Sequence, residues 1–321
     1  MTTAPPDYEN VEIPRDHWGR PLVLPPQGGK RVAYRRTTTF VGCLDDTTGL
    51  QRWKTRMVAL GMGQRKDLTL AAAAANPDDK KTLDDIAEKA LEQAQAGAAA
   101  MTGTALHSLT ERIDRGQELG HVPHEYVEDL KAYEKATAHI EWLDIECFRV
   151  HDEWQVAGTA DRIGRDTRTG RISIYDLKTG SVDFPHKMAM QLAMYADMIP
   201  YDIATDTRGV NPDGLDVNDG VIIHLPAGQG RCDLYSIDLR SARGACALAR
   251  KVWAWRGQKG LTRLLPPGGE DAPITPTWEL LIAAASTVDE LRVVWTQAKD
   301  SGDLNESLKA LCMARSAELG A

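Results

Sequence analysis

The stretch Gly158–Lys178, GTADRIGRDTRTGRISIYDLK, constrains the fold more than any other part of the chain. Two strand-like runs flank Asp166-Thr167-Arg168-Thr169-Gly170, a segment dense in turn formers, so the whole reads as a β-hairpin. The hairpin returns the triplet Asp176-Leu177-Lys178 beside Asp161. Alternate side chains of a strand leave on opposite faces, so Ile172, Ile174, Asp176 and Lys178 share one face, apolar at its start and charged at its end. Two carboxylates and a lysine at the rim of a buried face are costly unless they pair with each other or hold a cation. A single Asp-x-Lys is more often an exposed ion pair worth little, so a metal-site reading needs support from elsewhere in the chain.

The 321 residues, 42% of them hydrophobic, suffice for one large domain and an accessory piece. Cys43, Cys147, Cys232, Cys246 and Cys312 stand singly with no C-x-x-C pair, which argues against a zinc ribbon, an iron-sulfur cluster or a disulfide framework. No apolar run reaches about 18 residues and the opening segment lacks a signal-peptide core, so a cytoplasmic protein without membrane contact is expected. The net charge of -8 counts against a nucleic-acid partner. Its distribution is uneven, however: Lys30, Arg31, Arg35, Arg36, Arg52, Lys54, Arg56, Arg65 and Lys66 crowd one region with few acids. Local field outweighs the total, so a polyanionic partner is permitted there.

Along the chain, residues 1–30 read as an irregular lead-in, and Val32–Val41 as a strand. Thr48–Leu60 carries Leu50, Trp53, Met57 and Leu60 at helical spacing, with Trp53 as a core residue. An Ala-rich helical stretch, broken at Pro77-Asp78, leads into GTALHSLTERIDRG, where Leu106, Leu109 and Ile113 form the buried stripe and His107 and Glu111, four apart, lie on a neighbouring face. A helix over His124–Trp142 precedes the strand DIECFRV, which carries Glu146. After the hairpin comes the helix FPHKMAMQLAMYADMI, in which Gln191 and Tyr195 are four apart and share a face. Two more strands, GVIIHLP and CDLYSIDL, and a helix over Ala242–Gly257 close the main domain. Residues 264–276 have the Pro/Gly content of a linker. Beyond it, a capping box at Thr287 and Glu290 and a stop at Gly302 suggest a helical hairpin over 277–321.

The ordered set GTALH with His107, a strand glutamate at Glu146, GTAD with Asp161, DLK with Asp176 and Lys178, and QLAMY with Gln191 and Tyr195 resembles the PD-(D/E)xK nucleases. The likeness is to their RecB-type exonuclease branch, which includes CRISPR-associated and bacteriophage recombination exonucleases. It covers about residues 32–200. The naming proline is absent, since Thr159-Ala160 precede Asp161, but this branch often carries a G-x-x-D form, here from Gly158. The cysteines that hold an iron-sulfur cluster in several relatives are absent.

The resemblance implies an α/β (α+β) fold: a restriction-endonuclease-like core over 31–263, its central mixed β-sheet flanked by helices, with the C-terminal helical hairpin appended. It also implies one or two Mg²⁺ or Mn²⁺ ions held by His107, Asp161, Asp176 and the Leu177 carbonyl, with Lys178 acting on the attacking water and Glu146 as a further ligand or base. Gln191 and Tyr195 would hold the substrate backbone, and Arg35 and Arg36 would lie on a DNA path. The expected activity is exonucleolytic cleavage at DNA ends in recombination or repair, encoded by a phage and acting in the bacterial host cytoplasm. A structure-specific endonuclease and a non-catalytic DNA-binding scaffold are the alternatives. The hairpin at the C-terminus is expected to dock a recombination partner or a second copy.

Overall fold

The computed structural model describes residues 12–94, 98–262 and 276–320, which fall into two compact units divided after Gly257. Residues 1–11 of the expected lead-in and 264–275 of the expected linker lie outside the described residues.

In the first unit the strands are β1 (Leu22–Val23), β2 (Val32–Ala33), β3 (Arg35–Arg36), β4 (Ile140–His151), β5 (Val156–Asp166), β6 (Ile172–Lys178), β7 (Ile199–Asp202), β8 (Thr207–Arg208), β9 (Asp219–His224) and β10 (Asp233–Asp238). The helices are α1 (Thr37–Val41), α2 (Thr48–Gln64), α3 (Lys66–Ala74), α4 (Lys80–Gln93), α5 (Ala98–Asp114), α6 (His124–Thr137), α7 (Pro185–Asp197) and α8 (Arg240–Arg256). The main sheet runs β10-β9-β6-β5-β4-β7-β8, with β3 also paired to β5. It is mixed: β6 with β9 and β3 with β5 are parallel, and the other pairs are antiparallel. A central mixed sheet flanked by helices is the restriction-endonuclease-like arrangement that the sequence suggests.

The hairpin forms as the turn chemistry dictates, with Arg162 opposite Tyr175 and Arg165 opposite Ile172. Its strands are covered on both faces. Ile174 and Ile222 pack with Leu192 and Ala196 of α7, while their chain neighbours Tyr175 and Ile223 pack with Tyr133 of α6. Alternation slips once on β5. Ala160 and Ile163 both join the α7 side, whereas Arg162 turns to the α5–α6 side. The slip lies opposite Glu146, whose φ of 51° breaks the pleat of β4 between the pairs Ile145–Arg162 and Cys147–Ala160.

Several elements differ from their expected form. Thr37–Val41 is helical because α1 buries Phe40 and Val41 together against α8, and Trp253 donates its indole N–H to the Phe40 carbonyl at 3.0 Å. Tertiary packing here overrides β-propensity. Trp53 is 38% exposed rather than core. The side of α2 turned inward carries Val58, Gly61 and Met62, and Gly61 approaches α4 so closely that a Cβ would lie 1.8 Å from the Ala90 carbonyl oxygen. Helix α6 stops at Thr137 because the His139 carbonyl accepts from the Thr167 N–H and hydroxyl, leaving Ile140 and Trp142 to start β4. The lead-in is folded from Glu12 onward, with β1 paired to β2 and Val23 fully buried beside Tyr34 and Tyr201.

Among its described residues the second unit holds three helices rather than a hairpin: α9 (Trp278–Ala284), α10 (Val288–Asp300) and α11 (Glu306–Glu318). Its core joins Ile282, Leu291, Val294, Leu308 and Cys312. Thr287 caps α10 by accepting from the Glu290 N–H, while the Glu290 carboxylate reaches back to Ser286.

A buried ion pair fixes α5 on the sheet. Arg162 has no exposed surface; it bonds Asp114 at the end of α5, and its second arm donates to Thr110 at 2.9 Å. Asp114 also accepts from the Tyr133 hydroxyl. Removing one partner of such a pair strands the other charge. Arg162→Met is therefore expected to cost about 3–5 kcal/mol in urea unfolding, with part recovered in Arg162→Met/Asp114→Leu. A loss below about 1 kcal/mol in the single variant would contradict this.

Candidate active site

Four elements meet at a cleft of about 530 Å³. Helix α5 supplies Gly103, Thr104, His107, Ser108 and Glu111, the strands β4 and β5 supply Glu146 and Asp161, and the end of β6 with its following turn supplies Leu177–Gly180. Gly103 allows the helix to reach the turn, since a Cβ there would stand 2.7 Å from the Thr179 hydroxyl. The Arg162 clamp holds the same helix, because Thr110, which accepts from Arg162, donates to the His107 carbonyl at 2.9 Å.

His107 Nε2 lies 3.0 Å from Glu146 Oε1 and 3.4 Å from Asp161 Oδ2. One ligand atom from each of these residues falls within 4.8 Å of the others, a spacing at which a single cation reaches all of them. Burial would lower the His107 pKa, but the hydrogen bond to Glu146 and the charges of Asp161 and Glu146 outweigh it and raise it. The two carboxylates thus favour the charged imidazole against the effect of burial. Glu146 owes its place to the left-handed backbone at φ 51°, a conformation that costs a non-glycine residue about 1–3 kcal/mol.

Asp161 accepts the Leu177 N–H at 2.9 Å just where the ladder between β5 and β6 ends. The next pair along these strands is Asp161 with Asp176. Asp176 is 2% exposed and ion-paired with Lys178. Desolvation, and then the charge of Asp161, push its pKa up to about 6, against the opposing pull of Lys178. Burial would lower the pKa of Lys178, yet Asp176 and Asp161 raise it and keep it charged. Of the face expected for Ile172, Ile174, Asp176 and Lys178, both isoleucines are buried on the α7 side, Gln191 of α7 donates to Asp176 Oδ1 at 3.4 Å, and Lys178 is ion-paired with Asp176.

The sequence-derived candidates therefore divide into groups. His107, Glu146, Asp161, Leu177 and Lys178 line the cleft, and Asp176 sits behind it. Gln191 and Tyr195 do not line it. Tyr195 is 4% exposed, its phenol reaching the side chains of Thr37 and Gln191, so its burial does not fit direct contact with a substrate backbone. A Cβ at Gly158 would lie 2.7 Å from the Thr37 hydroxyl and 3.0 Å from the Tyr195 ring, so this glycine makes room for the buried row Thr37–Tyr195–Gln191–Asp176. Arg35 and Arg36 stand on β3, where they pair with Val156 and Ala157 at the far end of β5.

Sequence reasoning placed Glu111 on the His107 face without giving it a role, and missed Ser108 and the clamp formed by Arg162, Thr110 and Asp114. The i, i+4, i+8 series Gly103, His107, Glu111 was the available signal for the cleft face. No periodicity announces a buried arginine.

Residues 48–207 match the sequence model of the PD-(D/E)XK nuclease superfamily. The match supports membership of that superfamily for the stretch that carries His107, Glu146, Asp161, Asp176 and Lys178; Arg35 and Arg36 lie outside it. No curated protein matches the chain significantly.

The buried row yields a test. Tyr195→Phe removes one hydroxyl that positions Gln191, costing about 1 kcal/mol of stability. It is expected to weaken Mn²⁺ affinity severalfold by titration calorimetry. An affinity equal to that of the unaltered protein would show that the row does not act on Asp176.

Proposed function

Taking the PD-(D/E)XK superfamily match as premise, we propose that this chain is a divalent-metal-dependent deoxyribonuclease that hydrolyses phosphodiester bonds at DNA ends. The observation that carries this reading is the convergence of His107, Glu146 and Asp161 beside the Asp176–Lys178 pair. The donor set fits a hard divalent cation: carboxylate oxygens suit Mg²⁺, and an imidazole nitrogen is more readily accepted by Mn²⁺. Asp176 Oδ2 is buried with no hydrogen-bond donor among the described residues other than its ion-pair partner Lys178, an arrangement that a second cation partner would relieve.

His107, Glu146 and Asp161 would hold the ion, with Asp176 and the Leu177 carbonyl completing the site from behind. When bound, the cation supplies phosphate charge neutralisation, an acidified water and stabilisation of the leaving oxygen. Lys178, lining the cleft with its ammonium held by Asp176, orients the attacking water or offsets charge on the phosphorane-like transition state. The Arg162 clamp keeps His107 facing the carboxylates, and Gln191 steadies Asp176 from the α7 side.

The exonucleolytic mode, the role in recombination or repair and the phage source rest on the ordered likeness to RecB-type exonucleases. The second unit is read as a docking element for a recombination protein or a second copy. Leu280, Val293, Leu311 and Met313, each more than 40% exposed on its helices, support that reading.

Two assays test the proposal. Lys178→Met and Asp176→Asn are each expected to lower Mg²⁺- or Mn²⁺-dependent release of label from end-labelled DNA by at least a hundredfold, with far-UV circular dichroism unchanged; wild-type rates in both would sink it. Covalently closed circular DNA should survive under conditions that consume the same DNA once linearised. Nicking or linearisation of the circle would assign an endonuclease instead.

A further inference from the structure

A second charged feature of the first unit lies outside the cleft. Helix α8 carries Arg240, Arg243, Arg250, Lys251 and Arg256 and no acidic residue, in a chain of net charge -8. Arg240, Arg243 and Arg250 are offset by Asp219, Asp197 and Glu153. Arg256 has no carboxylate within 4.0 Å among the described residues, and neither do Arg35 and Arg36.

These unpaired charges are gathered rather than scattered. The Arg35 guanidinium lies 3.9 Å from the centroid of the Trp253 ring, and Arg256 approaches the same ring at 5.4 Å. The indole is fixed by its N–H bond to Phe40. Arg20 lies 4.7 Å over Trp18, which is 66% exposed, and its charge is felt at Arg35. Arg20 alone of the group has an acidic partner, Asp16. Helix α8 packs against α1, which continues directly from β3, so Arg35, Trp253 and Arg256 form one surface, while Arg36 leaves the strand on the opposite face. Cations that repel one another while lacking carboxylates are stabilised by an external polyanion, and indoles interleaved with guanidinium groups suit unstacked bases.

The strip also points toward the cleft. Arg36 pairs with Ala157 on β5, and Asp161 lies four residues further along that strand, about 13 Å at the usual rise.

We propose that Trp18, Arg20, Arg35, Trp253 and Arg256 form a track for a single strand of nucleic acid outside the catalytic cleft. Phosphates lie on Arg35 and Arg256, and a base lies against Trp18. This rests on the nuclease reading for its substrate class, but not on the metal site for its evidence.

Binding in EDTA, where cation-dependent cutting does not intervene, tests it on the full chain. Fluorescein-labelled dT20 and a 20-base-pair duplex are titrated at several salt concentrations. Arg256→Gln, an exposed change, and Arg35→Gln are each expected to lower the salt slope for dT20 by about 0.7, the share of one phosphate contact. Trp18→Ala should weaken dT20 about fivefold or more while leaving the duplex unchanged. The proposal is overturned by an unaltered slope in Arg256→Gln, by equal losses on duplex and single strand in Trp18→Ala, or by polyglutamate competing as well as dT20. If the strip variants bind as the unaltered protein does while that protein still cuts DNA with Mn²⁺, the track falls and the nuclease reading stands. Strip-dependent binding by a protein that cuts no DNA would leave the track standing and remove the nuclease reading.

Discussion

Asp161 and Asp176 stand side by side at the point where β5 and β6 part, and their repulsion in a desolvated setting is the constraint that the surrounding structure answers. Left alone, two adjacent buried carboxylates cannot both ionise. The protein meets this with an ammonium from Lys178, an imidazole from His107 and hydrogen bonds from the Leu177 N–H and Gln191. The compensating groups come from β6, α5 and α7, so placing them requires α5, the β5–β6 hairpin and α7 to be held together. A divalent cation would answer the same repulsion with more charge in less space, which is why this arrangement reads as a metal site rather than a surface ion pair.

Holding α5 over the sheet falls to a second buried pair. Arg162 follows Asp161 in sequence and reaches further along the same helix, where Asp114 and Thr110 receive it beside Tyr133. The slip in β5 that permits this and the left-handed Glu146 across from it are one local distortion with two results. One strand sends a carboxylate to the cleft and an arginine to the scaffold from adjacent positions, and Ala160 and Ile163 reach a common core only because the pleat is broken.

Much of this was legible in the amino-acid order. The turn formers Asp166–Gly170 announced the hairpin, parity along β6 assigned Ile174 and Asp176 to one face, and helical spacing put His107 beside the apolar stripe of α5. What escaped sequence reasoning depended on contacts between distant segments. Thr37–Val41 has strand propensity and folds as a helix because Phe40 and Val41 share a core with α8; Trp53 loses its place to Gly61, which lets α2 approach α4; Tyr195 is drawn inward by the space at Gly158. In each case the deciding partner lies far away in the chain, where local pattern carries no information about it.

The central claim is that these side chains form a metal centre, and anomalous diffraction from crystals grown with Mn²⁺ tests it most directly. The account predicts a manganese peak bonded to His107 Nε2 and to carboxylate oxygens of Asp161 and Glu146 or Asp176. Full Mn²⁺ occupancy elsewhere, with His107 still bonded to Glu146 and no peak in the cleft, would contradict it.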